Sequence, residues 1–225
     1  MPMTEGAFEG VGGIKIFTRA WQPAGKPHGV VVISHGFNSG SGQYEWAAQQ
    51  LAAKGLAVYA LDHRGRGKSE GERFFVEKFS DYTGDLATFI DMVKAREPGL
   101  PVFLLGHSAG GVISCGYALE HQGELAGLIC ESFAYQVPTP GKDFRLMTLP
   151  LLILHGAEDK PTKPSGSREL YEKAGSTDKM LKLYEGHFHD LLADVGKQQV
   201  MADIQAWIDA HMGTDIPRTR RELRT

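Results

Sequence analysis

The sequence predicts an α/β protein built on a mostly parallel sheet with helices on both faces. Strand-like and helix-like segments alternate along most of the chain, which is the pattern of βαβ units. Val30-Val31-Val32-Ile33-Ser34 and residues 57–61 are continuous apolar runs, as in strands buried on both faces. A third apolar run, residues 102–105, leads into Gly106-His107-Ser108-Ala109-Gly110-Gly111, and a helix-compatible segment follows to about Glu120. That order of strand, sharp turn and helix is what a G-x-S-x-G elbow needs.

The elements follow in order. Residues 4–9 and 14–22 read as two antiparallel strands around Gly10-Val11-Gly12-Gly13, with alternation at Ile14, Ile16 and Thr18. Residues 30–34 form the third strand, ending in His35-Gly36-Phe37-Asn38. Residues 44–54 are helical in pattern and Gly55 stops them. The strand at 57–61 ends in Asp62-His63-Arg64-Gly65-Arg66-Gly67-Lys68-Ser69. Residues 79–96 carry apolar side chains at near-helical spacing, closed by Pro98-Gly99. After the elbow come strands at 125–131, 151–155 and 179–184, a short helix at 167–174 and a last helix at 201–211, so the sheet should hold about eight strands.

In such sheets ligands sit beyond the carboxyl ends of the strands, where the suggestive loops of this chain lie. The elbow turn lifts the Ser108 hydroxyl clear of the sheet, and Gly106 and Gly110 leave room where strand and helix pass. A serine hydroxyl needs a base, and the base an orienting acid. If both follow the elbow in the order acid then histidine, the strand at 151–155 delivers His155-Gly156-Ala157-Glu158-Asp159, and the last strand delivers Glu185-Gly186-His187-Phe188-His189-Asp190. Asp159 is favoured as acid with Glu158 as alternative, and His189 as base with His187 as alternative. Asp190 reads as a helix N-cap. The backbone N–H groups of Ala109 and Phe37 are the expected oxyanion donors. His35 and His107 should pack and hydrogen-bond within their loops. Arg64 and Arg66 should tie their loop down by pairing with acids such as Asp62. Gly65-Arg66-Gly67-Lys68-Ser69 resembles the end of a phosphate-binding loop, but Asp62 stands where that pattern requires glycine. His187 and His189 lack a third ligand with zinc-site spacing, so no metal is expected.

The 225 residues suit one domain, taken as 1–212, with a basic tail at 213–225. A net charge of −3 gives no reason to expect nucleic acid. No apolar run has the length of a membrane span, and the first residues lack a signal-peptide pattern. Cys115 and Cys130 read as buried thiols of a reducing compartment, and the expected location is cytoplasmic.

The chain is similar to the monoglyceride lipase-like branch of the α/β-hydrolase superfamily, which also includes bacterial lysophospholipases and serine aminopeptidase-like proteins. The resemblance runs from about residue 10 to 211. It rests on His35-Gly36, residues 62–71 with the sequence DHRGRGKSEG, Gly106-His107-Ser108-Ala109-Gly110-Gly111, His155-Gly156-Ala157-Glu158-Asp159 and Tyr184-Glu185-Gly186-His187-Phe188-His189. It implies Ser108, Asp159 and His189 as nucleophile, acid and base, oxyanion donors at Phe37 and Ala109, and hydrolysis of monoacylglycerol-like or small acyl esters without a cofactor. A non-catalytic binding protein or an acyltransferase of the same fold is the alternative. The family's helical cap is reduced here to about residues 132–150, which include the turn-rich Pro138-Thr139-Pro140-Gly141-Lys142. The elbow should then lie in an open cleft, and an uncovered rim of Phe37, Phe133 and Tyr135 offers a surface for self-association.

Overall fold

The structure, a computed structural model, describes residues 2–134 and 143–213. Tyr135 and residues 214–225 of the expected tail lie outside the described residues.

The strands are β1 (Met3–Glu9), β2 (Lys15–Trp21), β3 (Gly29–Ser34), β4 (Leu56–Leu61), β5 (Val102–His107), β6 (Gly127–Glu131), β7 (Leu151–Gly156) and β8 (Lys179–Tyr184). They form an eight-stranded sheet in the order β1-β2-β4-β3-β5-β6-β7-β8. β1 pairs with β2, and β2 with β4, antiparallel; all later pairings are parallel. The order reverses at β3, so β4 and β5 flank it and the loops after β3 and β5 become neighbours.

The helices are α1 (Glu45–Ala53), α2 (Phe79–Arg96), α3 (Ala109–His121), α4 (Pro164–Lys173) and α5 (Lys197–His211). The period of two along β3 divides its side chains between two cores. Val30 and Val32 pack with α2, α3 and α4 through Leu86, Phe89, Val112 and Leu170. Val31 and Ile33 pack on the other face with α1 and α5 through Leu51, Ile204 and Ile208. Burial on both faces is why these strands read as unbroken apolar runs.

Two helix starts lie earlier than the sequence pattern places them. α4 begins at Pro164 rather than 167, because proline suits the first helical turn, where its missing N–H costs nothing. α5 begins at Lys197 rather than 201, after Gly196 at φ +85°. Its first turn, Lys-Gln-Gln, is polar and hides the start from an apolar-period reading. Cys115 and Cys130 are buried free thiols, 3.7 Å apart at sulfur. Among the described residues no helix is long and apolar enough to cross a membrane.

Candidate active site

Ser108 stands between β5 and α3 at φ 53°, ψ −117°. A non-glycine residue at positive φ costs about 1–3 kcal/mol and persists only where its surroundings over-determine it. Here they do. The Ser108 N–H donates to the Glu131 carbonyl at 2.9 Å, and the Ser108 carbonyl accepts the Gly111 N–H at 3.0 Å. A Cβ on Gly106 would come 2.6 Å from Ser114 Oγ, and one on Gly110 would overlap the carbonyl oxygens of Ser34 and His35. Gly110→Ala should therefore destabilise the protein by about 1–3 kcal/mol or more in urea denaturation. Gly25→Ala, with nothing within 4 Å of the new methyl, should leave the midpoint nearly unchanged.

β7 and β8 deliver the expected acid and base. Asp159 is 5% exposed. His189 Nδ1–H donates to Asp159 Oδ2 at 2.7 Å. The same oxygen lies 3.1 Å from His155 Nε2 and 2.8 Å from Thr162 Oγ1, while Oδ1 accepts the Thr162 N–H at 3.0 Å. Burial alone would raise the Asp159 pKa, but hydrogen bonds from His155, His189 and Thr162 hold it well below the usual carboxylate range. Burial would lower His189; the hydrogen bond and charge of Asp159 outweigh it and raise His189 above the ordinary imidazole value. With its proton on Nδ1, His189 keeps Nε2 as a lone-pair acceptor.

Neither alternative joins this pair. Glu158 is exposed, and its N–H donates to the His187 carbonyl at 3.0 Å. His187 donates from Nδ1 to the Glu185 carbonyl at 3.0 Å and packs on the Tyr184 ring. The contact that brings the His189 loop towards the elbow runs through His107, the last residue of β5. Its ring lies 4.8 Å from that of His189, and its Nε2 is 3.3 Å from the His189 carbonyl. The Ser108 hydroxyl makes no hydrogen bond among the described residues, and such contacts are often long in a free enzyme.

The two expected oxyanion donors flank the elbow. Ala109 opens α3, so its N–H is one of the unpaired donors at a helix start. At the other donor, His35 Nδ1–H donates to the Gly36 carbonyl at 2.6 Å, and the trans peptide then turns the Phe37 N–H the opposite way. Neither N–H meets an acceptor among the described residues. A Cβ on Gly36 would come 2.9 Å from His107 Nδ1 and 3.3 Å from the Ser108 Cβ, so glycine lets this loop close on the elbow. Arg66 Nε–H donates to the Phe37 carbonyl at 2.7 Å, and its guanidinium sits 4.4 Å from the Phe37 ring and 4.5 Å from the Phe74 ring. Beside the two donors opens a pocket of about 300 Å³, walled by Phe37, Phe74, Val76, Phe79, Tyr82 and Ile113.

Several expectations are corrected. Arg64 pairs with Asp85 rather than Asp62, at 2.7 and 2.8 Å, because α2 lays that carboxylate beside it. Asp62 instead accepts from Ser41 N–H and Oγ at 2.6 Å and from Lys68 N–H at 2.8 Å. Phe133 is 1% exposed and packs against Phe144, so it forms no part of a rim; Phe37 remains 56% exposed. Asp190 caps no helix: its carboxylate faces His107 Nε2 at 3.3 Å and Gln43 Nε2 at 3.1 Å. His107 reaches across to the loop after β8 rather than staying within its own. His155, Thr162 and Glu131 were not singled out from the sequence. The signal for His155 and Glu131 is a polar residue closing an apolar strand; Thr162 has none. Among the described residues no cluster could hold a metal ion.

Sheet, elbow and strand-end acid–histidine pair define a serine-type α/β-hydrolase. The chain matches the hydrolase family described as serine aminopeptidase, S33, over residues 25–146 and 139–196, and it belongs to that family. It is 28% identical to a monoacylglycerol lipase of Mycolicibacterium smegmatis, covering 93% of this chain and 98% of that protein. It is 29% identical to the monoglyceride lipase of Homo sapiens, covering 88% of each. Those alignments span 274 and 267 positions against 225 residues, so both relatives carry segments this chain lacks. The two matched ranges overlap at 139–146, in the stretch between β6 and β7. In fold, the chain resembles a carboxyl esterase from Bacillus coagulans (TM-score 0.84, 19% identity, covering 94% of this chain and 99% of that one). It also resembles a monoacylglycerol lipase from Paleococcus ferrophilus (TM-score 0.74, 22% identity, covering 94% and 100%).

Proposed function

We propose that this protein is a serine carboxylester hydrolase for monoacylglycerol-like or small acyl esters, with Ser108 as nucleophile, His189 as base and Asp159 as acid. The observation that carries the reading is the His189–Asp159 bond at 2.7 Å beside a strained elbow serine, with two uncommitted N–H groups next to it. Ser108 attacks the ester carbonyl while His189 Nε2 takes its proton, and Asp159 stabilises the imidazolium. The N–H groups of Phe37 and Ala109, the latter at the positive end of α3, receive the developing oxyanion. His189 then protonates the leaving alcohol, and water, activated by the same nitrogen, releases the acid. The ester class is supported by the lipase names of the two relatives.

The apolar pocket beside the donors is suited to the acyl group. Each methylene buried there stabilises the complex by about 0.8 kcal/mol until the space is filled. At about 300 Å³ it lies at the small end of ligand pockets. The expected result is labelling of Ser108 by a fluorophosphonate, with kcat/KM higher for p-nitrophenyl butyrate than for the palmitate and no jump in rate at the micelle concentration. Absence of both labelling and turnover overturns the enzyme reading. A steady rise of kcat/KM to the longest chains overturns the short-chain reading.

A further inference from the structure

Behind the site lies a carboxyl group to which the reaction above assigns no part. Glu131 is the last residue of β6 and is 1% exposed. Its main-chain carbonyl accepts the Ser108 N–H at 2.9 Å. Its side-chain Oε1 accepts the N–H of Leu192 at 3.2 Å, in the loop that carries His189. One residue thus holds the nucleophile's backbone with its main chain and the base's loop with its side chain.

The rest of the carboxyl is unusual. Oε2 is buried with no hydrogen-bond partner, and no Lys, Arg or His pairs with the group among the described residues. Carboxyls this deep are ordinarily paired. Burial, with the charge of Asp190, pushes the Glu131 pKa up to about 8, only partly offset by the Leu192 and Leu191 N–H groups and the His189 charge, which favours the neutral acid at pH 7. Tyr44 Oη and His107 Nδ1 are also buried without partners. All three residues line one cavity of about 10 Å³, room for one water molecule, with Gln43, Asp190 and Leu192. His107 and Glu131 are register partners on parallel strands, so their side chains stand side by side on one face. His107 in turn donates from Nε2 to the His189 carbonyl at 3.3 Å.

We propose that Glu131 is a positioning residue that locks the loop carrying His189 against the strand that delivers Ser108. This rests on the roles given above to Ser108 and His189. The loop after β8 is tied to the β7 side by a main-chain bond, Glu158 N–H to the His187 carbonyl, while Glu131 and His107 tie it to the β5–β6 side that carries Ser108, and a displacement of about 1 Å can cost about 10² in rate. The acid faces Tyr44, His107 of β5, Tyr184 of β8, and His189 and Asp190 of the loop. Ionisation leaves the Leu192 N–H bond in place but sets a buried, unpaired negative charge against Asp190 of the same loop, and that repulsion pushes the loop away.

Glu131→Gln and Glu131→Leu test this in steady-state assays on p-nitrophenyl butyrate from about pH 6 to 10. Leucine removes the acceptor for the Leu192 N–H. It should lower kcat about 10–100-fold and leave KM within about twofold. Glutamine keeps an uncharged acceptor and donor. It should hold kcat within about threefold at neutral pH and lose the alkaline fall near pH 8 that the wild type shows. The stability readout has a definite sign. The folded pKa lies above the unfolded value of 4.5, so the wild type loses stability as pH rises from there to about 8. The Tm of Glu131→Gln should therefore gain on the wild type over that window. An unchanged kcat in Glu131→Leu, or the same alkaline limb in wild type and Glu131→Gln, overturns the proposal. If the leucine variant does not fold, the glutamine pH profile decides alone. A wild type in which a fluorophosphonate fails to label Ser108 would overturn the underlying roles instead.

Discussion

Ser108→Ala is expected to reduce ester turnover by about 10³-fold or more, with Tm close to that of the wild type. The activity loss follows from losing the covalent route, which needs the hydroxyl oxygen. The unchanged stability follows from the contacts. The hydroxyl makes no hydrogen bond among the described residues, while the ties that hold the elbow, Ser108 N–H to the Glu131 carbonyl and Gly111 N–H to the Ser108 carbonyl, are main-chain and survive the substitution. Residual activity should remain above the uncatalysed rate, because the substitution leaves the proposed oxyanion donors, the Phe37 and Ala109 N–H groups, in place. The check is kcat on p-nitrophenyl butyrate beside a thermal melt. Retention of more than about a tenth of wild-type kcat would exclude Ser108 as the nucleophile.

Asp159→Asn is expected to lower kcat by about 10²–10⁴-fold, while Glu158→Gln should change it by less than about threefold. The side chains differ in what they touch. Asp159 receives His189 Nδ1–H at 2.7 Å and lies within 3.1 Å of His155 Nε2, whereas Glu158 is exposed. Asparagine can turn its amide towards Nδ1 and so favour the tautomer with the proton on Nε2, which cannot accept from serine. The pH dependence has a fixed sign. Asp159 raises His189 above the ordinary 6.5, and the imidazolium is inactive as a base. Removing the charge lowers that pKa, so the acid limb of the remaining kcat/KM should move to lower pH. Comparable damage from Glu158→Gln would reverse the choice of acid.

What the sequence by itself determined are features written in neighbouring residues. The two-faced burial of residues 30–34, the period of 79–96 and the crowded glycines around Ser108 depend on residues only a few positions apart. The strands, α2 and the elbow stand where that pattern places them, with ends that differ by at most two residues. The starts of α4 and α5 were less legible, because a polar first turn has no apolar period to read.

Tertiary structure alone decided which side chains meet. Glu158 and Asp159 are adjacent in the chain and equal in chemistry. They differ because the turn after β7 faces one towards solvent and the other towards Thr162, His155 and His189. The partner of Arg64 is Asp85, 21 residues away on α2, rather than the nearer Asp62. Phe133 is buried by Phe144, and Glu131 reaches Leu192 across 61 residues. Hydrogen bonds and burial act over a few ångströms in space. Chain positions so far apart come within that range only when the sheet order has set β5, β6, β7 and β8 side by side.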